Sequence, residues 1–159
     1  MGSFSNMVRR ISEWMYWLAA FSLAGVVFLT VIDVILRGFK RPVVGTYELV
    51  GFLGAWAIGF AIPKTSLDKG HVFMEFLVER VPGAWRHLLI ILTRVLGVVF
   101  FALVGGNLFL MGEDLRRVGE VSLTLHLPQY PLAYGVGMAC LMESLVLVTE
   151  IIKLRSMES

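Results

Sequence analysis

The chain has 159 residues, of which 57% are hydrophobic and only 16% charged, with a mean hydropathy of +0.79. Soluble domains carry about 25% charge, so this composition leaves little chain for a soluble catalytic domain. The net charge of +2 comes from scattered basic residues and argues against a nucleic-acid partner, and one cysteine, Cys140, excludes an internal disulfide.

The first apolar run, about 14–36, follows Arg9 and Arg10 as a secretory signal would. It is longer than the roughly 7–15 residues of a signal core, and Asp33 and Arg37 follow it in place of a cleavage site, so it is read as a retained helix. Trp14, Tyr16 and Trp17 suit an aromatic belt at its start. The second run, about 44–63, reaches the roughly 20 residues that cross a bilayer only by beginning near Val44 and including Glu48. After it, His71, Glu75 and Glu79 recur every fourth residue, while Val72, Phe73, Phe76, Leu77 and Val81 fill another face. That pattern predicts an amphipathic helix over 71–81, ended by Pro82-Gly83 and lying in the lipid interface or against a partner. A third membrane run follows at about 87–111. The loop Ser122–Pro131 then carries Pro128 and Pro131, which suit entry to a helix, and Tyr130, which with Tyr134 fits a second aromatic belt. The fourth run is about 131–152. The expected fold is an all-α integral membrane protein: four transmembrane helices with an interfacial helix between the second and third, residues 1–159 forming one domain.

Small residues recur every fourth position at Ala20 and Ala24, at Gly51, Ala55 and Gly59, and at Gly135 and Ala139 before Glu143. Such spacing lets helices approach closely in lipid. Lys and Arg set orientation. Eight lie in the segments that share a side with the termini and five in the other two loops, which places both termini in the cytoplasm.

Five ionisable residues fall in or at the edges of the apolar runs: Asp33, Arg37, Glu48, Arg94 and Glu143. A charge at the bilayer centre costs roughly 2.5–3.5 kcal/mol or more and normally has a partner or a wet cavity. Estimated depths bring Arg94 and Glu143 close enough to pair. Asp33 and Arg37, one turn apart, join Glu48 in an outer polar cluster. One reading is a cation or proton path; the other is paired charges that fix helix register and subunit contacts. Opposite signs at each level favour the second. His71, His87 and His126 share no helical face across a membrane segment, and no metal, phosphate-loop or catalytic triad motif occurs.

Several short motifs then agree in order. Asp33-Val34 with Arg37, Pro42 before Glu48, Gly70-His71-Val72 with Glu75, Val81-Pro82, and Ser122-Leu123 with Leu127, Pro128 and Tyr130 span nearly the whole chain. In these the chain resembles the small, DctQ-type membrane subunit of tripartite ATP-independent periplasmic (TRAP) transporters, with Glu75 standing where many relatives have aspartate. The resemblance implies a multi-pass protein of the bacterial inner membrane, with no enzymatic activity and no cofactor or substrate site of its own. It implies two protein partners. One is a large multi-span membrane subunit that carries substrate and, typically, sodium. The other is a periplasmic binding protein that delivers an organic acid. The small subunit would brace the scaffold against which the transport domain moves, with Asp33, Arg37, Glu48, His71, Arg94 and Glu143 as structural or subunit-interface residues. Two other classes stand beside it. A small self-contained multidrug/proton exporter would need Asp33 as its carboxylate, although Arg37 lies one turn away. A membrane anchor of a redox enzyme would need a haem pair that the histidines do not supply.

Overall fold

The computed structural model describes residues 2–68 and 84–157. The interfacial helix expected over 71–81, with His71, lies outside the described residues. Four helices follow one another: α1 (Gly2–Gly38), α2 (Thr46–Leu67), α3 (Ala84–Val118) and α4 (Tyr130–Met157). All four contain a span long and apolar enough to cross a membrane. All four are longer than expected. At 37 residues α1 extends about 55 Å, well beyond the roughly 30 Å of hydrocarbon. Its first turns carry Arg9, Arg10 and Glu13 yet still pack: Val8, Ser12, Met15 and Ala19 form one buried seam at helical spacing. The second helix runs through Pro63, where an end was expected, to Leu67. Pro63 itself is buried, and Thr65 Oγ1 and Asp68 N–H bond back to Ala61 and Lys64 carbonyls, so the last turn closes despite the N–H that proline lacks.

The order in space is α1, α2, α4, α3. Antiparallel pairs α1–α2 and α3–α4 are joined by α2 against α4, and α1 touches α4 only slightly. Among the described residues, α3 packs on α4 alone. The central α4 supplies most of the core: Ala139, Met142 and Val146 pack with Val8, Met15 and Ala19 of α1 and Phe60 of α2.

Glycines set the close approaches. A Cβ on Gly105 would stand 2.9 Å from the Leu141 side chain and 3.2 Å from the Gly137 carbonyl. Gly97 and Gly112 meet Leu147 and Tyr134 in the same seam. This row on α3, spaced by seven and eight residues, escapes a search for four-residue spacing. Of the expected stripes, Gly135–Ala139–Glu143 does face α2: Gly135 lies under Trp56, and Ala139 lies near Gly59. Gly51 meets nothing, and Ala20 and Ala24 face away from the bundle in a shallow furrow with Val27 and Phe28.

Candidate functional site

Polar side chains gather at two levels of the bundle. At the end where α1 meets α2 and α3 meets α4 through short loops, Asp33 is 4% exposed and accepts the Val43 backbone N–H at 2.9 Å and Arg37 Nε at 2.7 Å. It thereby fastens the α1–α2 loop to α1. The Arg37 guanidinium also lies 5.4 Å from the centre of the Tyr47 ring. Glu48, in the first turn of α2, does not join this pair. Its carboxylate reaches the α3–α4 loop, where it accepts the Ser122 hydroxyl at 2.7 Å and the backbone N–H groups of Thr124 and Leu125 at 2.7 and 2.9 Å. Two bonds from backbone donors and one from a hydroxyl suit a carboxylate, which only accepts. Beside them Leu125 fills the space over Gly45, whose φ of 79° and missing Cβ leave room for it. The expected three-residue cluster is therefore two separate ties, one per loop. A third contact at this level, Tyr134 to Glu113 at 3.1 Å, links α4 to α3.

The opposite end, toward the chain termini, is built differently. Lys64 pairs with Asp68 at 3.0 Å and approaches Glu13 of α1 at 3.9 Å. Glu143 is 1% exposed. One of its oxygens accepts the Ser66 hydroxyl, while the other, Oε2, is buried with no hydrogen-bond partner. Arg94 pairs with Glu150 at 2.9 Å.

The expected Arg94–Glu143 pair thus does not form. Glu143 is engaged instead by Ser66 of α2. The α3–α4 register also separates them: Ser144 Oγ reaches the Val98 carbonyl and Leu141 meets Gly105, so Arg94 lies about 8–10 Å further toward the termini. Glu150 lies two turns beyond Glu143, at the level of Arg94. Sequence reasoning missed Ser66 and Glu150. The signal available for Glu150 was its spacing of seven from Glu143; for Ser66 there was none beyond its place near the end of α2.

The two levels are about 24–30 Å apart along each helix, from Asp33 to Glu13, Glu48 to Ser66, Glu113 to Arg94 and Tyr134 to Glu150. That separation approaches the thickness of the hydrocarbon. Asp33, Arg37 and Glu48, expected together toward the outer edge of the apolar runs, stand at one level, and Arg94, expected inside the third run, stands at the other. Glu143, held against Ser66, marks the inner edge of the terminal level. Between that edge and the short-loop level the four helices carry no Asp, Glu, Arg or His, and the one lysine, Lys64, lies two residues inside Ser66 and turns its ammonium back to Asp68. Among the described residues no group of three or more His, Cys, Asp or Glu is placed to hold a metal.

The family model for tripartite ATP-independent periplasmic transporters, DctQ component, matches residues 26–156. The chain belongs to this family. No curated protein and no solved structure matches it. The DctQ match takes in all of α2 and α3 and nearly all of α4, and it includes Asp33, Arg37, Glu48, Arg94 and Glu143. The chain is accordingly a small membrane component of a TRAP transporter, a family of transporter parts rather than of enzymes, and its membership implies association with the other TRAP components.

Proposed function

We propose that this DctQ-type subunit braces the large transport subunit during ion-coupled uptake of an organic acid delivered by a periplasmic binding protein. The single observation that carries the reading is the absence of carboxylates and histidines between the two polar levels. A chain that relayed a proton or cation would need titratable or oxygen-rich side chains along that stretch. Here the ionisable groups tie loops and helix ends together instead, which serves a fixed scaffold. Sodium coupling then belongs to the partner subunit. The exporter reading loses support on the same ground, since Asp33 is engaged by Val43 and Arg37. The setting is the bacterial inner membrane with both termini in the cytoplasm, a reading supported by the distribution of Lys and Arg.

Co-expression with the large subunit and the binding protein tests this. The chain should co-purify with the large subunit in mild detergent, and its deletion should abolish uptake into proteoliposomes. Glu143→Gln should transport in proportion to the complex assembled. Normal assembly with transport abolished in that variant would place Glu143 on an ion path and end the scaffold reading. Reporter fusions at Ser159 and near Gly119 should report opposite sides of the membrane.

A further inference from the structure

The α3–α4 loop is a small hairpin. Ser122 N–H donates to the Leu127 carbonyl at 2.9 Å and Gln129 N–H to the Glu120 carbonyl at 3.3 Å, closing a bridge between Val121 and Pro128. The tip turns through His126 in the left-handed region, at φ 55°. Glu48 holds the tip by Thr124 N–H and Leu125 N–H, and Leu125 packs down over Gly45. Two residues before Leu125, Leu123 points away from the protein and is 95% exposed.

We propose that this tip is a lipid anchor, with Leu123 inserted among the upper acyl chains of the leaflet at the short-loop end. Height decides the occupant. The 22 residues of α2 extend about 33 Å, little more than the hydrocarbon they must cross. Its first turn therefore sits at the hydrocarbon boundary, and Glu48 pins the hairpin tip to that turn. A leucine presented there continues the lipid-facing surface of the bundle. Phe39, Val44 and Tyr47, which flank the same level, are also largely exposed, as side chains at a membrane interface are. From Val121 to Pro128 the hairpin carries no Asp, Glu, Lys or Arg, so nothing in it resists the boundary region. The two leucines divide the work: Leu125 holds the tip to α2 and Leu123 reaches outward.

The test uses the full chain with Cys140→Ala, which removes its one thiol, and Leu123→Cys labelled with an environment-sensitive fluorophore. Since Leu123 contacts almost nothing, its replacement leaves the bonds to Glu48 in place. A matched label goes in through Glu120→Cys. Both proteins are placed in phosphatidylcholine–phosphatidylglycerol nanodiscs, alone and with the large membrane subunit. The expected result is strong quenching at position 123 by lipids bearing a nitroxide high on the acyl chain, with iodide quenching several-fold weaker than at position 120. Equal iodide quenching at the two positions would overturn the anchor. So would shielding of position 123 from both quenchers that appears only with the large subunit, since the tip would then be a protein contact.

Discussion

At the short-loop end, Asp33 and Glu48 accept backbone N–H groups from the two loops. At the terminal end, Glu143 and Glu150 are met by the side chains of Ser66 and Arg94. The difference is mechanical. At the short-loop end the backbone donors move only with their loops, and each carboxylate is held by more than one donor, so turning it away breaks several bonds at once. At the terminal end both partners are side chains, and either can change rotamer while the helices stay where they are. The terminal end also leaves Oε2 of Glu143 buried without a partner, a cost that the short-loop end avoids. The bundle thus has a locked end and an adjustable end, about one bilayer apart.

Breaking the lock should have the largest effect. Glu48→Ala strands the Ser122 hydroxyl and two backbone N–H groups and unfastens the α3–α4 hairpin from α2. Its detergent melting temperature should fall further than that of any single polar substitution at the terminal end, with new protease cleavage between residues 120 and 128. Glu48→Gln, which keeps one strong acceptor, should fall between. If Glu48→Ala melts like the unaltered chain, the lock contributes nothing. The same lock can be forced from its other side. A Cβ on Gly45 would stand 2.4 Å from Leu125 Cγ, and its φ of 79° disfavours any side chain. Gly45→Ala should therefore cost about 2 kcal/mol or more, from left-handed strain and overpacking together. Measured by thermal unfolding, a loss below that of Gly51→Ala, where a Cβ meets nothing, would show that Leu125 is not seated there.

Much of this was legible in the chain itself. Apolar length and composition indicate four crossings, because a membrane demands them of any sequence that spans it. The Asp33–Arg37 pair follows from one-turn spacing, and the Gly135–Ala139–Glu143 row from four-residue spacing. What escaped was register between helices. Glu48 binds backbone atoms of residues more than seventy positions away, and backbone donors carry no sequence signal. Arg94 chose Glu150 over Glu143 because of where α3 stands along α4, which the glycines at 97, 105 and 112 set. Their seven- and eight-residue spacing becomes meaningful only once the partner helix is known. The early turns of α1 were missed because their charges mask a one-sided apolar seam.

The adjustable end should respond less. Glu143→Ala removes the acceptor of the Ser66 hydroxyl and leaves a cavity, for an expected loss of about 1–3 kcal/mol. Glu143→Gln keeps a carbonyl for Ser66 and should lie much nearer the unaltered chain. A double-mutant cycle of Ser66→Ala with Glu143→Ala should give a coupling of about 1 kcal/mol, typical of polar pairs in membranes. Independent effects of the two changes would mean that the Ser66 bond holds nothing together.

The smallest effect separates the two possible partners of Arg94. Its side chain is 25% exposed and that of Glu150 is 18% exposed, so water and headgroups soften the loss of either one. Arg94→Ala should therefore cost no more than about 1 kcal/mol. The informative quantity is where its coupling lies. A cycle with Glu150→Ala should give a coupling of a few tenths to about 1 kcal/mol, shrinking as salt is raised. A cycle with Glu143→Ala should give none, because Glu143 is held by Ser66 and lies one to two turns from Arg94 along α4. Coupling to Glu143 in place of Glu150 would mean that α3 has slid along α4 by about two turns. The Gly105–Leu141 contact would then have to be lost as well, so Gly105→Leu, expected to destabilise by about 1–3 kcal/mol in the present register, would become nearly silent. The two measurements stand or fall together, since one sliding coordinate sets both contacts.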